Sequence, residues 1–381
     1  MNFAVHWSLD PAVSYLNHGS YGACPTAVLA AQSVLRLEME RELVDFMNGA
    51  LPARLKAARE PLAAFLGADA ADLSFVTNAT MGVNAVLRSL SFGPEDEILV
   101  TSHTYNACRK TVDYVSHRTG VRIVVAELPF PCRHEDEIVA AVLDCVTGRT
   151  KLALIDHVTS PTALVLPLAR IVRELQDRGV DTLVDGAHAP GMVPVALNEL
   201  GAAYYTGNAH KWMCAPKGAA FLHVRRNRQA SLHPTVISHG YATGYQAEFD
   251  WTGTCDPTAW LCIPEAIRFM GSLLPGGWPE LMARNHALVM RARTLLLETL
   301  GVAAPCPESM IGSMATIALP AFGADSIGGG LDADGRHDWF RRRGIELWFH
   351  PVPIPIFRIS AQLYNDFGQF ERLAALLEEI S

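Results

Sequence analysis

Thr182-Leu183-Val184-Asp185-Gly186-Ala187-His188 and Ala203-Tyr204-Tyr205-Thr206-Gly207-Asn208-Ala209-His210-Lys211 decide the fold. Each begins as a short apolar, β-branched or aromatic run, which reads as a strand, and each ends in polar residues that can do chemistry. The acid Asp185 and the amine Lys211 stand 26 positions apart at the tips of two strands of one sheet. In an open α/β sheet, ligands sit outside the carboxyl ends of the strands. A carboxylate and a lysine delivered there suit a pyridine cofactor that carries an aldehyde. The carboxylate keeps the ring nitrogen protonated as an electron sink, and the amine forms a Schiff base with the aldehyde. That cofactor is pyridoxal 5′-phosphate (PLP). Alone, an Asp at a strand end would cap a helix and a single Lys would be a solvated charge; it is the company they keep that matters.

Working outward, apolar runs of four to six residues alternate with helical stretches: Leu73–Val76, Ile98–Thr101, Arg122–Ala126, Leu152–Asp156, Thr182–Asp185, Ala203–Thr206 and Ala219–Val224. Helices fit between several of them, as over Asp136–Cys145 and Leu168–Asp177. Such alternation implies βα units and a mainly parallel sheet of about seven strands with both faces covered. Amphipathic helices are expected over residues 27–47 and Ala53–Leu66, and again over Thr258–Leu274 and Pro279–Leu300, with Pro275-Gly276-Gly277 as the break. The chain should end in paired strands, Ile345–Phe349 and Phe357–Ser360, and a closing helix, Asp366–Glu379, after an exposed Gly-rich loop over Gly323–Gly335. The expected domains are an N-terminal arm of the small domain, acting as an active-site lid, over residues 1–25, a large cofactor-binding domain over 26–257 and a small C-terminal α/β domain over 258–381.

The chain-wide properties agree with an enzyme and exclude other classes. At 381 residues it exceeds the roughly 250–300 at which single cores stop growing, so a large and a small lobe are expected. Half the residues are hydrophobic and 18% are charged, a composition that packs. The net charge of −8 comes without a long basic run, which argues against a nucleic-acid surface. Eight cysteines are scattered without a C-x-x-C pair, so neither a metal site nor a disulfide framework is indicated, and reduced thiols in a cytoplasmic protein are expected. No apolar run is long enough to cross a membrane and no signal-peptide pattern opens the chain.

Two further segments fall on the same rim. Thr77-Asn78-Ala79-Thr80 follows a strand and opens a helix, whose first amides and the Thr80 hydroxyl suit a phosphate. Ser102-His103-Thr104-Tyr105 follows another strand and offers an aromatic ring to stack on a cofactor.

With these residues in order, the chain resembles the fold-type I PLP-dependent enzymes of the class V aminotransferase group, and within it the isopenicillin N epimerase relatives. The resemblance is carried by Tyr15–Gly22, Asn78–Thr80, Asp156–Thr162, Asp185–Gly191, Gly207–Lys211, Trp251–Thr254 and Arg358–Asn365, which span nearly the whole chain. It implies that Lys211 is the Schiff-base lysine, that Asp185 pairs with the pyridine nitrogen, and that His188, with Ser160 nearby, bonds the phenolic oxygen. It implies a phosphate cup of Asn78, Ala79, Thr80, Asn208 and His210, with Thr254 reaching the phosphate of the neighbouring subunit of a homodimer. Tyr105 takes the ring-stacking place, and Arg358, beside Asn17 and His18, takes the substrate α-carboxylate, for which a bidentate guanidinium suits better than an ammonium. Trp348, Phe349, His350, Tyr241 and Tyr245 are candidates for the wall of the side-chain pocket.

The cofactor does not name the reaction. Relatives that desulfurate cysteine carry a nucleophilic Cys shortly before the carboxylate arginine; here Glu346–Pro351 stands there and the last cysteine is Cys306, which argues against a persulfide-forming enzyme. An epimerase is the first expectation: Lys211 removes the α-proton and a second acid, Tyr105 or His18, returns one to the opposite face. A C–S β-lyase of a cysteine conjugate, like the hercynylcysteine sulfoxide lyases, is the second and a transaminase the third. A non-catalytic scaffold would be expected to have lost Lys211 or Asp185. A nicotinamide enzyme wants a G-x-G-x-x-G turn, which is missing.

Overall fold

A computed structural model describes residues 2–320, 328–351 and 354–380. Its strands are β1 (Ser14–Tyr15), β2 (Leu73–Val76), β3 (Glu97–Thr101), β4 (Arg122–Ala126), β5 (Thr150–Asp156), β6 (Asp181–Asp185), β7 (Tyr204–Asn208), β8 (Ala220–Val224), β9 (Met314–Ala318), β10 (Ile345–Glu346), β11 (Trp348–His350) and β12 (Ile356–Ser360). Seven of them form one sheet in the order β2-β8-β7-β6-β5-β3-β4, parallel except for β8, as the alternating runs imply. A smaller C-terminal domain holds the antiparallel sheet β11-β12-β9. Strands covered on both faces carry no exposed alternation, so β2, β3, β6 and β8 are buried almost throughout.

The covering helices follow from their apolar stripes. Leu168–Asp177 buries Leu168, Ile171, Val172 and Leu175, the i, i+3, i+4, i+7 face, each side chain worth about 1.5–3 kcal/mol on burial. Ala79–Ser89 packs its Gly82 so close to β7 that a methyl there would lie 2.3 Å from the Thr206 hydroxyl. That approach brings the N-terminus of this helix to the tip of β7.

Several expected elements differ in detail. The helix expected over 27–47 ends at Arg41, and a π-helical turn, Asp45–Ala50, leads into Leu51–Leu66. The stretch Thr258–Leu274 is two helices, Thr258–Leu261 and Ile263–Ser272, because Pro264 starts the second at its first turn. Residues 323–327 of the expected Gly-rich loop lie outside the described residues, and its end is helical, Ala333–Arg341, capped by Asp332. The run Ile345–Phe349 is not one strand: β10 pairs with β1 near the N-terminus and β11 pairs with β12. Strand β9 is the partner that the terminal pattern does not reveal.

Candidate active site

The carboxyl ends of β2, β3, β5, β6 and β7 meet on one rim, so the five loops that follow them surround one space. A cavity of about 460 Å³ opens there, lined among others by Asn78, Ala79, Thr80, Tyr105, Ser160, Asp185, His188, Asn208, His210 and Lys211. A smaller one of about 180 Å³ adjoins it and shares Ser20, Tyr21, Tyr105, Ser160 and Lys211, adding Trp348, His350 and Arg358 from the C-terminal domain.

Asp185 ends β6 almost fully buried. It accepts the Cys108 thiol at 3.1 Å and the Ala187 amide at 3.0 Å. Burial raises its pKa, while that thiol, that amide and Lys211 work against the rise. Lys211 turns its Nζ to Nε2 of His188, 3.2 Å away. Loss of solvent, and then the Arg358 charge, lower the ammonium pKa to about 7, although Asp185 pulls the other way. Half or more of the amine is therefore uncharged above neutrality, as attack on an aldehyde requires. The same burial and the Lys211 charge hold His188 well below its ordinary range, so its ring is neutral.

Hydrogen bonds order the segment in which a phosphate is expected. Asn78 caps the helix Ala79–Ser89 by accepting the Met81 amide at 2.8 Å, and Asn208 accepts the Ala79 amide at 2.8 Å, tying β7 to that helix end. His210 bonds the Ala219 carbonyl through Nδ1, and burial lowers its pKa to about 4. Arg358 is buried on β12; it donates to the Ser160 carbonyl, to Ser20 Oγ at 3.0 Å and to Asn17 Oδ1 at 3.4 Å. Burial lowers its pKa to about 10, so it stays cationic at neutral pH.

Other expected residues stand elsewhere. Asn17 and His18 line neither cavity. Asn17 backs Arg358, while His18, fully buried, bonds Tyr364 Oη through Nδ1 at 2.8 Å and the Lys211 carbonyl through Nε2 at 3.1 Å. Thr254 is exposed and outside both cavities. Of the pocket-wall candidates, Phe349 belongs to the core and Tyr245 lies under the sheet, donating its hydroxyl to the Leu222 carbonyl at 2.6 Å. Tyr241 is 57% exposed beside His233, and only Trp348 and His350 reach the site. The sequence reading left Asp156, Cys108, Ser20 and Tyr21 without a role. Asp156 was within reach of the strand-end rule that found Asp185; Cys108 carried no local signal.

The donors present fit PLP. The cavity offers a buried carboxylate at one end, a helix N-terminus at another and an amine of lowered pKa, and its wall includes His188, whose Nδ1 has no hydrogen-bond partner among the described residues. Fold and site together define a fold-type I PLP-dependent enzyme. Comparison with known proteins agrees: the family model for class V aminotransferases matches residues 36–335. Isopenicillin N epimerase of Streptomyces clavuligerus is 34% identical over 392 residues, covering 98% of this chain and 96% of that protein. A putative L-cysteine desulfhydrase of Oryza sativa subsp. japonica is 33% identical over 405 residues, covering 96% and 82%. Among solved structures, a cystine C–S lyase in complex with cysteine persulfide superposes with a TM-score of 0.80 at 20% identity, over 97% of this chain and 98% of that one. The chain belongs to the class V aminotransferase family, and its cofactor is pyridoxal 5′-phosphate.

Proposed function

We propose that this enzyme epimerises or racemises an α-amino acid of compact side chain. The observation that carries this reading is the origin of its two proton carriers. Lys211 follows β7 and Tyr105 follows β3; β6 and β5 lie between, so the two backbones are about 14 Å apart at roughly 4.8 Å per strand. Both residues line both cavities, and they come from loops with two strands between them. A two-sided proton exchange needs such a pair.

When bound, PLP supplies an aldehyde for the amino group and a ring that takes up the electron pair freed at the α-carbon. Lys211, His188, Asp185, Asn78, Ala79, Thr80, Asn208, His210 and Ser160 are the residues that would hold it, with Tyr105 over its face. Arg358 binds the substrate carboxylate in bidentate fashion, and Ser20 and Asn17 fix the guanidinium plane. Lys211 Nζ takes the α-proton, because it is uncharged above about pH 7. Asp185 holds its charge against the ring nitrogen. The Tyr105 hydroxyl, kept protonated by a pKa that burial raises, returns a proton from the other side.

A second reading is a C–S β-lyase of cysteine or a small conjugate. Its support is the size of the space beside Arg358, about 180 Å³, which suits a short side chain, together with the desulfhydrase relative. The two share every residue up to proton removal. Incubation with panels of amino acids in deuterium oxide separates them: α-deuterated product of inverted configuration supports epimerisation, whereas sulfide and pyruvate in place of it identify the lyase, and a keto acid identifies transamination.

We further infer a homodimer with shared sites. Thr254 is exposed away from its own cavity, and Val34, Leu37 and Val44 are 64%, 71% and 74% exposed on a surface that a second copy would cover. Light scattering that gives a fully active monomer rules this out. Unpaired thiols at all eight cysteines support a reducing, cytoplasmic setting.

A further inference from the structure

Asp156 has no part in the mechanism above, yet it stands at its centre. The register of β5 against β6 sets Asp156 beside Asp185 on the same rim, and both carboxyls line the larger cavity at 2% and 3% exposure. Their surroundings differ. Asp185 has a donor on each oxygen, the Cys108 thiol on Oδ2 and the Ala187 amide on Oδ1, whereas the Tyr105 amide is the neighbouring donor to Asp156, whose Oδ2 has no hydrogen-bond partner among the described residues. The ionisable groups facing the pair are Cys108 on the helix Asn106–Thr119, Tyr105 at that helix's start, Tyr205 on β7 and Lys211 beyond β7. Only Lys211 among these is a cation, and it is partly discharged at neutral pH. Two ionised carboxylates one strand spacing apart, buried and without full counter-charge, cannot both persist.

We propose that Asp156 is a further positioning residue of this site: a buried carboxylic acid that shares one proton with Asp185 and so sets the charge that Asp185 offers the cofactor. The asymmetry of donors decides where the proton rests. Asp185, with both oxygens engaged, keeps the negative charge; Asp156, with Oδ2 unengaged, keeps the proton. Burial first, and the Asp185 charge second, push the Asp156 carboxyl well above the usual carboxylate range, in the same direction. The pair then presents one charge to the ring nitrogen, and it titrates as a unit rather than as two independent acids. The inference holds whichever fate the freed electron pair meets, so it stands or falls separately from the choice between epimerase and lyase.

Infrared difference spectroscopy of the PLP-loaded protein carrying carboxyl-¹³C aspartate tests it. At neutral pH the wild type is expected to show the C=O band of a protonated carboxylic acid that shifts with the label and with deuterium oxide and is missing in Asp156→Asn. A wild type with carboxylate bands alone, or a protonated band that survives Asp156→Asn undiminished, overturns the proposal. Should Asp156→Asn not fold, Cys108→Ala serves: it removes a donor from Asp185 and leaves Asp156 in place. The same band must then shift, because the shared proton is drawn toward Asp185; a band indifferent to it is not shared, and the proposal fails. In folded, PLP-loaded Asp156→Asn the pH midpoint of the visible absorbance should move by less than about half a unit, since an amide replaces a neutral acid, while a shift of about one unit or more marks the loss of a charge and overturns the assignment.

Discussion

Lys211 Nζ and His188 Nε2 lie 3.2 Å apart, and neither group is fully charged at neutral pH. The contact joins two neighbouring strand ends and is a hydrogen bond rather than an ion pair, so its consequences are read in proton uptake. Between pH about 7 and its ordinary value of 10.5, Lys211 is neutral in the folded protein and charged in the unfolded chain. The unfolded state binds the extra proton, so the contribution of this group to stability rises with pH across that window and is least below it. Substituting Lys211→Met in cofactor-free protein should flatten the rise by roughly 3–4 kcal/mol, somewhat less than the full shift because the amine meets the cavity. Chemical denaturation of both proteins at several pH values between neutrality and pH 10 checks this.

Arg358 is fixed by four oxygen acceptors, on Ser160, Asn17 and Ser20, and its fork geometry is what a carboxylate needs. Arg358→Lys should lower kcat/KM by about 10²-fold, chiefly through KM, because a point charge replaces two parallel hydrogen bonds. Amines lacking the carboxylate should react equally slowly with both proteins. Equal losses on both kinds of substrate would remove Arg358 from carboxylate binding.

Asp185→Asn keeps the shape of the site and removes its charge. We expect kcat to fall by about 10²–10³-fold while PLP affinity changes by less than about tenfold, since the charge matters most when electrons enter the ring. Steady-state kinetics and equilibrium dialysis of PLP measure the two effects separately.

Tyr105→Phe divides the two proposed reactions. An epimerase should lose inversion by about 10²–10⁴-fold, the usual worth of a positioned acid, yet still wash the α-proton of one enantiomer into solvent. A lyase should release sulfide within a few-fold of the wild-type rate. Proton exchange followed by NMR, with chiral chromatography of the product, distinguishes these outcomes.

Gly22 adopts φ +69°, and a methyl there would stand 2.3 Å from the His210 carbonyl oxygen and 2.8 Å from Lys211 Cα. Gly22→Ala should cost about 2–4 kcal/mol from strain and displacement together, with a lower Tm. PLP-loaded variant protein should also show a shifted visible band, because the clash falls on the backbone that carries Lys211.

The sequence by itself determined the large sheet, its mainly parallel strands and the two residues at its centre. Apolar runs without polar alternation require burial on both faces, and Asp185 and Lys211 each sit where a strand ends, so local pattern alone put them on the rim. The roles proposed for Arg358 and for Asn78–Thr80 come from the resemblance of short ordered segments. What only the tertiary structure decided is which residues stand next to each other. The β5 to β6 register brings Asp156 against Asp185, and packing of the helix Asn106–Thr119 brings Cys108 to the same carboxylate. Closure of the N-terminal segment on β12 sends Asn17 behind Arg358 and His18 behind Lys211 rather than into the cavity. The reason is physical: periodicity states which face of an element is buried, but register and the contacts between segments 341 residues apart are settled by the summed burial of the whole chain, which no local window contains.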